Sequence, residues 1–248
     1  MCCRHPSGFN GALRALGTRA QGNSRNRDGW GVAYYQGRDV ALYRGTSRAD
    51  TCPQVRFLDT TAPATTLALA YIRHATQGER TLANTAPFGR ELHGRMQVFA
   101  HNGNLKYPGD LPRFSDDGFQ PIGDTDSEKA CCQLLNRIKA LEHPAGALPS
   151  LQMRLDAVAG MALELRELGP ASFLYADSDT LFAHADRRLQ PLTGTVTPPA
   201  MFRLDCQSGH PLASISDCPP QDQEHKAVLL ASPTSSTRLS NRLILPGL

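Results

Sequence analysis

Apolar residues fall along this chain first in short runs and then at helical spacing, and the change from one to the other sets out its elements. Trp30-Gly31-Val32-Ala33-Tyr34-Tyr35-Gln36 is rich in β-branched and aromatic residues. Gly37-Arg38-Asp39 interrupts it and Val40-Ala41-Leu42-Tyr43-Arg44 resumes it, which predicts a hairpin. Leu67–Arg73 and Met96–His101 are short apolar runs suited to buried strands, each ending in a polar cluster. The spacing then becomes helical. Thr125 and Glu128 have the capping-box spacing, and Cys131, Leu134, Leu135, Ile138 and Leu141 follow at helical intervals. A second helix is predicted from Ser150 to Leu168, with Leu151, Leu155, Val158, Ala162 and Leu165 as its apolar stripe and Gly169-Pro170 at its end. Ala171–Asp177 and Thr180–Ala185 predict another hairpin about the acidic turn Asp177-Ser178-Asp179. Residues 17–29 read as a polar loop, and 194–225 as a Pro-, Ser- and Gln-rich stretch of weak patterning. Ala227–Ala231 and Leu243–Leu245 are candidate late strands. Strands, two helices, then strands is not the βαβ alternation of a doubly wound sheet. Antiparallel sheets with helices packed outside fit better.

Composition narrows the class. With 248 residues and 40% hydrophobic content, the chain can bury one large core or two small ones. A net charge of +3, with dispersed arginines, argues against nucleic acid or a charged membrane surface. No apolar run approaches the ~20 residues of a membrane span, and the N-terminus lacks a signal-peptide core. A soluble cytoplasmic protein is expected. The seven cysteines are an odd count, which without a secretory signal argues for reduced thiols. Cys131 and Cys132 fall inside a helical pattern and read as core. Cys2, Cys3 and His5 could be imagined as a metal cluster, but no second pair has zinc-site spacing, so no metal or other cofactor is expected.

The chemistry concentrates at Cys2. Removal of Met1 would leave Cys2 carrying a thiol and a free α-amine, a nucleophile and a base on one residue. Behind it stand five segments in order: Arg27-Asp28-Gly29-Trp30-Gly31, Tyr71-Ile72-Arg73-His74-Ala75-Thr76, Ala83-Asn84-Thr85-Ala86-Pro87-Phe88, Ala100-His101-Asn102-Gly103-Asn104-Leu105 and Gly123-Asp124-Thr125-Asp126-Ser127-Glu128. Singly, each has a plain explanation as a turn pair, a surface charge or a helix-dipole partner. Together they resemble the class II glutamine amidotransferases. Gly89–Arg95 and Asp126–Ala130 look like its short YafJ-like branch in particular. The resemblance covers roughly residues 20–190 well, and is thin over 3–16 and after about 195.

That resemblance implies an N-terminal nucleophile hydrolase fold, an α+β four-layer αββα sandwich, as a single domain over residues 2–248. It implies Cys2 as nucleophile, with the Asn102 side-chain amide and the Gly103 N–H as oxyanion donors. Arg73 would hold the α-carboxylate of glutamine and Asp126 its α-ammonium, while Thr85, Gly29 and Trp30 would line the pocket. The expected reaction releases ammonia or an amine from glutamine or a γ-glutamyl amide through a Cys2 thioester. No synthase domain follows in this chain, so ammonia would pass to a separate protein partner, or hydrolysis is itself the purpose. The competing expectation is a decayed, amidotransferase-like protein that binds a γ-glutamyl ligand or a partner. The sequence departs from the family in three places. Cys2-Cys3-Arg4-His5-Pro6-Ser7-Gly8 replaces the usual apolar strand, Tyr71 replaces a histidine, and Ala86 replaces another.

Overall fold

The structure, a computed structural model, describes residues 1–9, 26–107, 117–144, 147–190, 194–198, 200–207 and 226–232. Most of the predicted 17–29 loop, much of 194–225 and the predicted strand at 243–245 lie outside those residues.

The predicted hairpin forms from β2 (Trp30–Gln36) and β3 (Asp39–Gly45), turning at Gly37 with φ 64°. Beside β2 lies β4 (Thr65–Ile72), and beside β4 lies β1 (Cys2–Ser7). Late in the chain, β11 (Phe202–Gln207) and β12 (Lys226–Ala231) return to this sheet, giving the order β11-β12-β1-β4-β2-β3. The second sheet runs β5-β6-β7-β8, from β5 (Phe88–Leu92), β6 (Arg95–Gly103), β7 (Ala171–Ala176) and β8 (Leu181–His184). A small third pair joins β9 (Arg188–Leu189) to β10 (Val196–Thr197). Every pairing is antiparallel.

Strand alternation sorts the core into three parts. On the outer face of the first sheet, Trp30, Val32, Tyr34, Ala68, Met1 and Cys3 pack with Val55 and Leu58 of α1 (Pro53–Thr61). On its inner face, Ala33, Tyr35, Leu67 and Leu69 meet Val98 and Ala176 of the second sheet. The Tyr35 hydroxyl crosses between the sheets to donate to Ala176 O at 2.8 Å. The outer face of the second sheet, with Phe88, Phe99, Phe173 and Tyr175, packs on α2 (Asp126–Lys139) and α3 (Leu151–Leu168). The layers are therefore helix, sheet, sheet, helices, the αββα arrangement expected.

Several local readings need correction. Helix α1 had no predicted counterpart: its N-cap, Cys52, makes no side-chain capping bond, and only Val55 and Leu58 of the helix are buried. The capping box at α2 is half formed. Thr125 Oγ1 accepts from Glu128 N–H at 3.2 Å, but Glu128 turns away to take Gly123 N–H at 2.7 Å and to pair with Arg90. In α3 the predicted stripe is misplaced at its start. Leu151 and Leu155 are 53% and 41% exposed, and Arg154 is buried instead. Arg154 turns inward because its guanidinium pairs with Asp177 and with Asp179 (2.9 Å) in the β7–β8 turn, and its Nε donates to Pro149 O at 3.0 Å. The weakly patterned 194–225 stretch contains β10 and the start of the β11–β12 pair.

Strand β1 forms despite Pro6, by giving up regular pairing. Cys2 is opposite Leu67 and Ser7 is opposite Thr65, so β1 spends five residues where β4 spends two. Pro6, with no N–H to donate, falls in that irregular span.

Candidate active site

Parity along β1 separates its two cysteines. Cys3 faces α1, and its Sγ lies 3.2 Å from Thr65 O as donor. Cys2 is opposite Leu67, an inner-face residue, so its thiol points toward the second sheet, and it is exposed. The metal cluster considered for Cys2, Cys3 and His5 does not form: no group of three such ligands comes together among the described residues. Met1 is buried; its amine donates to Ala68 O at 2.8 Å, and burial lowers the pKa of that amine to about 6.

The facing wall is the end of β6. Val98 faces inward, so by alternation Ala100 and Asn102 do too, while Phe99 and His101 face the helices. Asn102 is exposed, and its Nδ2 donates to Ser232 Oγ at 3.1 Å. Ser232 follows the end of β12, four residues past Val228, which is level with Cys2. Asn102 thus shares the inter-sheet side with Cys2 but meets β12 further along. At Gly103 a Cβ would lie 1.9 Å from Pro170 O and 2.5 Å from His101 Nε2, so glycine is required by packing alone.

Arg73 closes the end of β4. Its N–H donates to Gly29 O at 2.8 Å, extending the β2–β4 ladder, and its guanidinium is buried. Three of its N–H groups go to the carbonyls of Glu79, Gln77 and Gly78, at 2.9, 3.1 and 3.2 Å. The cation therefore shapes the 77–79 loop. Gln77 Nε2 then donates to Asn104 Oδ1 at 2.6 Å and Leu105 O at 3.1 Å, tying the loop to the segment after β6.

Asp126 begins α2, where the helix N-terminus favours a carboxylate. It is buried; Oδ2 accepts Leu105 N–H at 2.7 Å and Oδ1 accepts Ser127 N–H at 2.8 Å. The Ser127 hydroxyl lies 2.9 Å from His101 Nδ1, and burial lowers the pKa of that imidazole. Tyr71, level with Gly31 of β2, joins this group: burial pushes its phenol up to about 12 against the opposing pull of Arg73, with a smaller upward push from Asp126.

Asn84 and Thr85 complete the wall. Asn84 Oδ1 accepts Asp124 N–H at 2.9 Å, and its Nδ2 donates to Glu79 O at 3.1 Å. Thr85 is fully buried, donates to Thr81 O at 2.9 Å, and its Oγ1 would be 3.1 Å from a Cβ at Gly29. Gly29 (φ 144°) reaches the group through its backbone carbonyl. Trp30 stands apart. Its indole lies in the α1-side core, on the opposite face of the sheet from Cys2, with no room for a Cβ at Gly45 beside it. Sequence order brought Arg73, Thr85, Asn102, Gly103 and Asp126 into one region, but motif adjacency could not give the face of Trp30. Gln77 and Ser232 were missed; neither falls in a motif that singles it out.

Comparison with known proteins gives the family of the chain. Residues 1–204 match the family model of the class-II glutamine amidotransferases. The chain belongs to that family. A Haemophilus influenzae protein assigned as a glutamine amidotransferase is 33% identical over 189 residues, 76% of this chain and 62% of its own length. Escherichia coli YafJ, likewise assigned, is 30% identical over 194 residues, 78% of this chain and 74% of YafJ. A crystal structure of a Pseudomonas aeruginosa protein assigned to the same activity superposes with a TM-score of 0.54 at 30% identity, covering 78% of this chain and 69% of that one. Within the family, the chain falls in the YafJ-like branch, with the N-terminal nucleophile hydrolase fold. It spans less than two thirds of the H. influenzae relative. Among the described residues, no helix is long and apolar enough to cross a membrane.

Proposed function

We propose that this chain is a cysteine hydrolase that releases ammonia or an amine from glutamine or a γ-glutamyl amide. The observation that carries the reading is the exposed Cys2 thiol on the inter-sheet side that it shares with the Asn102 carboxamide.

With Met1 removed, the Cys2 α-amine takes the thiol proton, directly or through water. The thiolate attacks the δ-carboxamide carbon, and the oxyanion is held by the Asn102 side chain and the Gly103 N–H. Collapse breaks the C–N bond, and the departing nitrogen takes the proton back from the amine. Water, deprotonated by the same amine, cleaves the γ-glutamyl thioester to give glutamate and the free thiol. Asp126 offers its carboxylate to the substrate ammonium, and Arg73 meets the α-carboxylate while holding the 77–79 loop. Thr85 and Gly29 shape the wall. No cofactor takes part. The domain is taken as residues 2–248, the location as the cytoplasm, and a separate protein as ammonia acceptor where ammonia is not simply released.

The test is glutamate release by purified protein from glutamine and γ-glutamyl peptides, with intact mass before and after an electrophilic glutamine analogue. Loss of Met1, one adduct on Cys2 and glutamate release are the expected results. A ligand-binding protein without catalysis would bind these compounds, release nothing and take up no adduct.

A further inference from the structure

Asn102 is exposed, so its carboxamide has no packed surroundings to fix it, and terminal amide torsions are intrinsically broad. An oxyanion donor gains most when it is aimed before the reaction. The contact that can aim it comes from the far end of the chain. Ser232 Oγ accepts from Asn102 Nδ2 at 3.1 Å, across 130 residues of sequence. Ser232 is itself firmly based. It follows directly on Ala231, the last ladder position of β12, which is paired with Phe202 of β11. On its other side β12 pairs with β1 at Cys2 and Cys3. One strand therefore touches the nucleophile's strand at one point and the donor at another. It lies beyond residue 204, where the family match ends.

We propose that Ser232 is a positioning residue: its hydroxyl occupies one N–H of the Asn102 amide and so orients the other for the oxyanion. A primary amide carries two N–H donors, so accepting one leaves one for the substrate. The bond also settles which end of the carboxamide faces β12. This inference rests on the reading of Asn102 as an oxyanion donor.

The experiment measures kcat and KM for glutamate release in the wild type and in Ser232→Ala, Ser232→Val and Ser232→Thr. Thr and Val have the same shape and differ in the hydroxyl. Removing the hydroxyl (Ala, Val) is expected to lower kcat about tenfold, the factor one net hydrogen bond supplies. KM should stay within about twofold, because substrate binding uses other groups. Ser232→Thr should restore most of the rate. In an Asn102→Ala background, Ser232→Val should cost nothing further. An unchanged or raised kcat in both Ser232→Ala and Ser232→Val overturns the inference; a rise would mean that the contact parks the amide. Equal loss in Thr and Val, or a full additional loss in the Asn102→Ala background, also overturns it, since either marks a structural effect. Failure of the underlying reading looks different: wild-type protein would then release no glutamate and take no analogue at Cys2, and both proposals would fall together.

Discussion

Gly103 and Asn102 are neighbours on β6, yet their substitution should fail in different ways. In Gly103→Ala the new methyl would meet Pro170 O at 1.9 Å and His101 Nε2 at 2.5 Å. An ordinary carbon–oxygen approach is about 3.3–3.6 Å, so the β6 and β7 ends must part by more than an ångström. Both obstacles are held. Pro170 O accepts Asn104 N–H at 3.2 Å, and the His101 ring is packed under α2 against Ser127. Overpacking of this kind costs about 1–3 kcal/mol. Losing the Asn104 bond adds about 1 kcal/mol. At about 2–4 °C per kcal/mol for a chain of this size, the melting temperature should fall by about 5–15 °C. Glutamate release should fall with it, because the residue 103 N–H moves with the strand. Asn102→Ala removes an exposed amide whose recorded bond is to Ser232. Its stability change should stay within about 0.5 kcal/mol, the surface range. Its turnover should fall about 10²–10³-fold, the loss of one oxyanion donor. Thermal melts paired with glutamate release decide the matter. A Gly103→Ala protein melting within 2 °C (about 0.5–1 kcal/mol) of wild type would refute the packing argument. Near-wild-type turnover in Asn102→Ala would refute its role as donor.

Three further outcomes are expected. Arg154→Ala should destabilise by about 3–5 kcal/mol in urea titration, because it leaves Asp177, 1% exposed, as an unpaired buried carboxylate; turnover should hold, since the β7–β8 turn is at the opposite end of β7 from Gly103. Burial lowers the pKa of His101 below 6.5, with Asp126 and the Pro170 carbonyl opposing the shift. As pH falls below 6.5, the unfolded chain takes up a proton that the folded chain refuses, so stability should fall over that window, and His101→Gln should flatten the decline in melts from about pH 7.5 to about 5.5 (about one unit above and below the reference histidine value). Brief treatment with a thiol electrophile, read by peptide mass, should modify Cys2 before Cys3, Cys52, Cys131 or Cys132, which are buried; equal modification of Cys3 would mean that the β1 register is wrong.

What the sequence conveyed follows from where periodicity is strong. The β2–β3 hairpin, β4, β6, α2 and the β7–β8 hairpin carry apolar runs, turn residues or helical spacing, and each formed within a residue or two of expectation. Helix α1 gave little signal because Phe57 is 63% exposed while Val55 and Leu58 alone of its residues are buried. Arg154 defeated the α3 stripe: a charged residue reads as a surface position until its acidic partners on a distant turn are known. In the site, the order of motifs was enough to gather Arg73, Asn102 and Asp126. It was not enough for Trp30, because which face of a strand meets a helix and which meets a second sheet is a tertiary fact. Ser232 was invisible for a related reason: a single serine far from every motif acquires meaning only when β12 returns beside β1.

The uneven pairing of β1 lets the strand hold residues that fit no regular ladder. Between its contacts at Leu67 and Thr65, β1 carries three residues more than β4 can match. That surplus is slack in a tether. Cys2 is fixed by its own ladder contacts to Leu67 and Val228, while the span behind it can absorb a change of length or composition. Without that surplus, any change of length between Cys2 and Ser7 would shift one end of the strand out of register. Here Arg4, His5 and Pro6 can stand behind Cys2, and the thiol keeps its face.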